Sequence, residues 1–213
     1  MVKNIMIPIE KLTTVALEDT VKDTIALIDA HNLLSLPVVQ GNKFVGIISK
    51  KYIFEEYFKS NEDKEEFLER KVAEFMKTKI DAVSERDLVE VPGKILAEHN
   101  LQFVPVVNEK GNFNGIVTHK AIFKTFNKIL GVGHTRIEVI TRDVKGRLAA
   151  LTEIITKQDV NILSIAEIDI EVMNLREIIM RVDSKNIKAL IEALNGGGFT
   201  VKRVLSTGSG RSS

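Results

Sequence analysis

The chain reads as a mixed α/β protein in two parts, a small α/β unit written twice and then a single β-α-β-β-α-β unit. Three observations predict this. The run His31-Asn32-Leu33-Leu34-Ser35-Leu36-Pro37-Val38-Val39 returns as His99-Asn100-Leu101-Gln102-Phe103-Val104-Pro105-Val106-Val107. Each copy has the same neighbours. A Val-x-x-x-Met segment precedes it (Val2 to Met6, Val72 to Met76), and a Gly-containing apolar run comes after it (Phe44 to Ser49, Phe113 to Thr118). Beyond Gly131-Val132-Gly133 the pattern changes to alternating strands and amphipathic helices. The repeat is longer than the roughly 20–50 residues of solenoid units, so it marks a duplicated domain. One copy is too short to bury a good core by itself.

The first copy opens with residues 1–11, a lead-in that Pro8 keeps extended before it turns. Leu12 to Leu17 reads as a short strand. Asp19-Thr20 offers an N-cap to a helix whose apolar face is Val21, Ile25, Ile28 and Leu33. Leu36 to Val39 is a buried strand, Gly41-Asn42 a hairpin turn, and Phe44 to Ser49 the returning strand. A helix runs from Lys50 to Phe58. The charged stretch from Lys59 to Lys71 reads as a solvated helical connection, with docking of a basic partner as the minor alternative. The second copy repeats the order: a strand at Ile80–Val83, a helix at Leu88–His99 with Pro92-Gly93 in its first turns, strands at Phe103–Val107 and Phe113–Thr118, and a helix to Ile129.

In the last part, Arg136–Thr141 is a strand, and Gly146–Gln158 a helix with Leu148, Leu151, Ile154 and Ile155 on one face. Ile162–Ile170 alternates strongly, Glu171–Asn174 turns, and Leu175–Asp183 is the next strand. Ile187, Leu190, Ile191 and Leu194 mark a second helix closed by Gly196-Gly197-Gly198, and Phe199–Leu205 ends the run. The domains are therefore expected at 1–60, 72–130 and 135–206, with a charged connection at 61–71 and a disordered tail at 207–213.

Composition narrows the chemistry. A net charge of +1 offers no field for nucleic acid or an anionic membrane. The absence of cysteine removes disulfides, thiolate catalysis and thiolate metal sites. No apolar run approaches a membrane span and no leader-like stretch is read, so a cytoplasmic location is expected. No nucleophile–base pattern, Walker loop, H-E-x-x-H or dinucleotide fingerprint occurs, so an enzyme is not expected. His31 and His99 sit at expected helix ends, where imidazole suits the last carbonyls, and no third ligand is in view for a metal.

The Val-x-x-x-Met segments, the paired Pro-Val-Val strands and the two Gly-apolar-apolar-Ser/Thr runs together resemble a tandem pair of CBS domains, over about residues 1–130. The resemblance implies a pseudo-twofold disc whose clefts hold adenine nucleotides (AMP, ADP, ATP) or S-adenosylmethionine, with no obligatory cofactor. The residues it implies are Thr14, Pro37, Val38, Ser49 and Lys50 in the first copy, and Pro105, Val106, Thr118, His119 and Lys120 in the second. One departure bears on this. The Asp that commonly stands three residues after the Ser/Thr and holds the ribose is replaced by Tyr52 and Ala121, neither of which can accept a bidentate ribose contact.

Residues 135–206 resemble an ACT domain, on Asp143-x-x-Gly146-x-Leu148 and then Val160-Asn161-Ile162. This implies an amino-acid site at Asp143, Gly146, Asn161 and Ile162, with helix-opening amides for the carboxylate and Asp143 for the ammonium. The other reading is that Asp143 caps the helix and Asn161 makes a turn. The order of modules resembles the acetoin-utilisation B protein family. Together these resemblances imply a regulatory, ligand-sensing homodimer or larger homo-oligomer. The alternative is an interaction module with vestigial pockets that acts on a partner enzyme of acetoin or central carbon metabolism.

Overall fold

The computed structural model describes residues 1–170 and 174–206, and the chain divides after Lys124 into two compact units. In the first unit β1 (Ile7–Pro8), β2 (Val15–Ala16), α1 (Val21–Ala30), β3 (Ser35–Gln40), β4 (Lys43–Ser49), α2 (Lys50–Lys59) and α3 (Lys64–Leu68) precede the second copy. That copy supplies β5 (Val83–Ser84), α4 (Glu90–Glu98), β6 (Phe103–Val107), β7 (Phe113–Thr118) and the start of α5 (His119–Ile129). Each copy builds a parallel pair and then a hairpin. β2 runs parallel to β3 and β3 antiparallel to β4, as β5 does to β6 and β6 to β7.

The repeats exchange their lead-ins. β1 pairs with β7 of the second repeat, through Ile7 opposite Ile116 and Pro8 opposite Gly115. Val2 and Lys3 donate to the carbonyls of Asp87 and Glu85. Reciprocally, Lys77 and Ile47 exchange two backbone hydrogen bonds of 2.9 Å, and Val72 and Ala73 donate to Asp19 and Leu17. Two glycines permit this approach. A Cβ on Gly46 would lie 2.7 Å from the Lys77 carbonyl oxygen, and one on Gly115 would overlap the Ile7 carbonyl, with Pro8 Cα at 3.1 Å.

The first repeat's core joins Val21, Ile28, Leu36, Val38, Ile48 and Ile53 to Val72 and Phe75 from the exchanged segment. Between the repeats lie Ile47, Phe103, Phe113 and Ile116, with the Phe44 and Phe113 rings tilted against each other at a centroid separation of 5.5 Å.

Several local expectations change. The strands expected at Leu12–Leu17 and Ile80–Val83 shrink to β2 and β5, because only two residues of each find a neighbour, Val38–Val39 and Val106–Val107. Leu33 falls outside α1 and is 38% exposed, since the helix stops at His31 and Asn32 turns left-handed at φ +51°. The charged connection does carry a helix, but it is not wholly solvated. Phe67 is 2% exposed, packed edge-on to Tyr57 and beside Phe75, with the Arg70 guanidinium over both Phe rings.

The second unit continues with β8 (Thr135–Arg142), α6 (Arg147–Lys157), β9 (Asn161–Asp169), β10 (Leu175–Asp183), α7 (Ile187–Gly196) and β11 (Thr200–Leu205). These strands form one antiparallel sheet in the order β11-β8-β10-β9, the ferredoxin-like arrangement. Ile137, Val139, Ile178, Met180 and Val182 pack under Leu151, Ile155, Leu190 and Leu194 of the two helices. β9 is an edge strand, and its Leu163, Ile165 and Ile168 are 37%, 40% and 48% exposed. Residues 171–173 of the expected turn and the expected disordered tail at 207–213 lie outside the described residues. Among the described residues no helix is long and apolar enough to cross a membrane.

Candidate functional site

Two adjoining clefts open on the first unit, each built from both repeats. Cleft one, about 200 Å³, has Ile47, Ser49, Lys50, Lys51 and Tyr52 on one wall, Asn100 and Leu101 on the other, and Lys77 from the exchanged segment. Cleft two, about 450 Å³, has Ile116 and Thr118 facing Asn32 and Leu33, with Ile7, Lys11 and Thr13 from the other exchanged segment. Leu34, Ser35 and Gln102 line both. The first copy's His31–Leu34 thus serves the cleft of the second copy's Thr118, and Asn100–Gln102 serves that of Ser49.

The two hydroxyls occupy equivalent places, each ending a strand and starting a helix. Ser49 Oγ accepts from the Tyr52 amide and Thr118 Oγ1 from the Ala121 amide, both at 3.3 Å. A hydroxyl that caps a helix this way uses one lone pair and keeps its O–H to donate to a ligand. The cations differ. Lys50 is tied to Asp29. The Lys77 ammonium sits 4.3 Å from the centre of the Tyr52 ring.

In the second unit Asp143 does not cap α6. The N-cap residue is Gly146, at φ +88° with open space where a Cβ would be, and it supplies no side-chain cap. The Asp143 carboxylate instead accepts from Arg176 Nη2 at 2.8 Å, across the β8–β10 pairing. Arg176 also faces Glu167 at 3.5 Å and Asp169 at 3.7 Å. The hydrogen bond to Asp143 and the surrounding carboxylates hold the guanidinium above its already high ordinary pKa. The backbones of Asp143 and Asn174 are also joined, at 2.8 Å. The capping alternative is therefore overturned, because Arg176 reaches Asp143 from the neighbouring strand. Asn161 does not make a turn either: it opens β9 opposite Asp183, where its side chain is exposed.

A model of the CBS domain matches residues 2–59 and again 72–128, more than half of the chain. The chain belongs to the CBS-domain proteins. An ACT domain model matches residues 135–196, so a CBS pair is followed by an ACT domain. An inosine-5'-monophosphate dehydrogenase of Korarchaeum cryptofilum is 29% identical over 140 residues, 66% of this chain. That stretch is only 26% of the relative, so the likeness spans about a quarter of its length. A CBS-domain protein of unknown function from Bacillus anthracis superposes with a TM-score of 0.54 at 29% identity, covering 60% of this chain and 92% of that one. CBSX2, crystallised in complex with AMP, superposes at 0.51 with 24% identity, covering 60% and 96%.

Within the CBS pair the expected residues separate. Ser49 and Lys50 line cleft one, and Pro37 and Thr118 line cleft two. Val38 and Val106 are fully buried in the strands behind the clefts and serve as frame, and Pro105 is buried in β6. Thr14 is half-buried, whereas its neighbour Thr13 lines cleft two. His119 and Lys120 stand exposed on the first turn of α5 and do not line either cleft. The CBS pair also places residues that sequence reasoning passed over. Lys11 and His31 line cleft two, and Lys77 lines cleft one. His31 is the C-cap of α1, as expected of it, and also a wall of that cleft. Among the described residues no group of three or more metal-ligating side chains converges.

Proposed function

We propose that this CBS–ACT chain is a regulatory ligand sensor whose CBS pair takes an adenine nucleotide or adenosyl ligand in cleft two. The observation that carries the reading is the make-up of that cleft. At about 450 Å³ it falls within the roughly 300–1,000 Å³ typical of small-molecule sites. It pairs apolar walls for a base (Ile7, Leu12, Pro37, Ile116) with Thr118, Lys11 and His31 for ribose and phosphate. His119 and Lys120 come next after Thr118 and meet phosphates that extend past the mouth. Ser49 and Lys50 are the corresponding groups of cleft one. AMP, which CBSX2 holds, is the ligand class to test first. Binding shifts the populations of domain arrangements in a homo-oligomer. The ACT domain's ligand is an amino acid at Asp143, Gly146, Asn161 and Ile162, and its ammonium must compete with Arg176 for Asp143.

Titration calorimetry with AMP, ADP, ATP and S-adenosylmethionine tests the reading. A saturable heat that weakens with added salt is expected. Lys11→Ala with Thr118→Val lowers affinity by about 1–3 kcal/mol, the scale of lost charge-assisted hydrogen bonds. The absence of heat from all four at millimolar concentration overturns the sensor reading. A second reading, an interaction module, is favoured by one observation, the edge strand β9 with its exposed Leu163, Ile165 and Ile168. On that reading the strand pairs with a second copy, and the chain acts by docking on an enzyme, as the resemblance to the acetoin-utilisation B protein family suggests.

A further inference from the structure

The duplication makes the two clefts alike in plan, so a difference between them is informative. The backbone pairing sets the equivalences. Ser49 corresponds to Thr118 and Tyr52 to Ala121, three residues after each hydroxyl. Lys77 pairs with Ile47 where Ile7 pairs with Ile116, so Lys77 corresponds to Ile7. Cleft one is therefore lined by an aromatic ring and an ammonium, where the equivalent residues are Ala121, a bare methyl group that does not reach cleft two, and the aliphatic Ile7, which lines it. The pair is engaged: Lys77 Nζ lies 4.3 Å from the Tyr52 ring centre, and both side chains line cleft one. The volumes differ in the same sense, about 200 Å³ against about 450 Å³. The smaller lies below the range of ordinary small-molecule sites and the larger within it.

We infer that the Tyr52–Lys77 pair is a built-in plug, which closes cleft one to a purine nucleotide and limits the CBS pair to one nucleotide per chain, in cleft two. This rests on the nucleotide reading of cleft two and adds its stoichiometry and the residues that set it. The Tyr52 backbone is anchored by its amide, which donates to Ser49 Oγ at 3.3 Å, and the ring's face is covered by a lysine whose segment is tied by two hydrogen bonds to Ile47. The ring cannot turn aside without giving up the cation–π contact. The ammonium belongs to the lead-in exchanged from the other repeat, so the plug is assembled only in the interleaved form.

The test gives cleft one the residues of cleft two. Calorimetry with AMP on the full chain is expected to give one site per chain in the wild type. Tyr52→Ala combined with Lys77→Ile is expected to give two. Lys77→Met alone removes the cation–π contact but keeps the bulk of both side chains in the cleft, and should stay near one. Thr118→Val with Lys11→Ala in the double-variant background should leave the new site as the tighter of the two, which assigns it to cleft one. Circular dichroism and the thermal midpoint check that each variant is folded. Where the double variant does not fold, Tyr52→Ala alone, which keeps the capping amide, is the substitute and is also expected to give two sites. Two sites per chain in the wild type overturn the plug and leave the nucleotide reading standing. One site in folded Tyr52→Ala and in the double variant overturns it likewise. No binding by the wild type overturns the nucleotide reading and, with it, the stoichiometry.

Discussion

Gly46→Ala isolates the close approach on which the first unit is assembled. The added Cβ would lie 2.7 Å from the Lys77 carbonyl oxygen and 3.0 Å from Met76 Sδ, where ordinary contact begins at 3.4 Å. The thioether can swing away at little cost. The carbonyl cannot, because it accepts from the Ile47 amide while the Lys77 amide donates back, each at 2.9 Å. Relieving the overlap moves that backbone by more than half an ångström and lengthens both bonds. Overpacking of this kind costs about 1–3 kcal/mol, and weakening the two hydrogen bonds adds up to about 1 kcal/mol each. Against this stands a gain of about 0.4–1 kcal/mol from the stiffer unfolded chain. The balance is a net loss centred on about 2 kcal/mol, within a span of about 0–5 kcal/mol. The assay is urea unfolding monitored by tyrosine fluorescence. The chain has two tyrosines and no tryptophan, and Tyr52 and Tyr57 both lie in the first repeat, so the signal reports on this unit. A variant that gains stability, as an unconstrained Gly→Ala would, refutes the close approach.

Three further outcomes are expected. Glu74 accepts from Arg70 at 2.9 and 2.6 Å and from the Lys71 amide, and this holds its carboxyl below the ordinary glutamate range. Its contribution is present at neutral pH and lost as pH falls through the lowered folded-state value. The urea midpoints of wild type and Glu74→Gln should therefore differ at neutral pH and converge in acid; equal midpoints at neutral pH would show that the pair contributes nothing. Asp143→Ala should move the urea midpoint followed by circular dichroism little, because both side chains of the Arg176 pair are partly exposed, at 29% and 42%. It should abolish any amino-acid-induced NMR shifts at Gly146 and Asn161, and shifts that persist would remove Asp143 from the site. Ile165→Lys on the exposed edge strand should turn a dimer into a monomer by light scattering, and an unchanged mass would place the interface elsewhere.

What could be read from the sequence depends on the range of the interaction involved. The duplication is a local pattern carried by two Pro-Val-Val strands and two glycines, and the β-α-β-β-α-β order is carried by periodicity, so both are legible. The exchange of lead-ins is not, because a strand of two residues such as Ile7–Pro8 carries no signal for which hairpin it joins. That hidden step also hides part of each cleft: Lys77 of cleft one, and Lys11 and Thr13 of cleft two, arrive on the exchanged segments. Phe67 is an instructive miss. It stands in a run of charges that reads as a solvated face, yet it and Leu68 are the apolar pair in that run, and Phe67 enters the core. Asp143 follows the last residue of β8 and Arg176 lies on β10, and the two meet only through the β8–β10 register, so a capping role for Asp143 was equally consistent with the residues nearby.

The crossing of the two lead-ins also bears on how such a chain came to be double. A single-repeat protein would have a hairpin with no strand beside Gly46 or Gly115 and a lead-in with nowhere to lie. Two separate copies trading these segments would satisfy both needs, as reciprocal strand exchange does in domain-swapped dimers. Fusing such copies head to tail would keep every pairing and remove the dependence on concentration. The same logic makes a laboratory prospect of it. Severed in the charged stretch between Lys59 and Lys71, the halves of the first unit should be unable to complete themselves alone and should recover their fold when mixed.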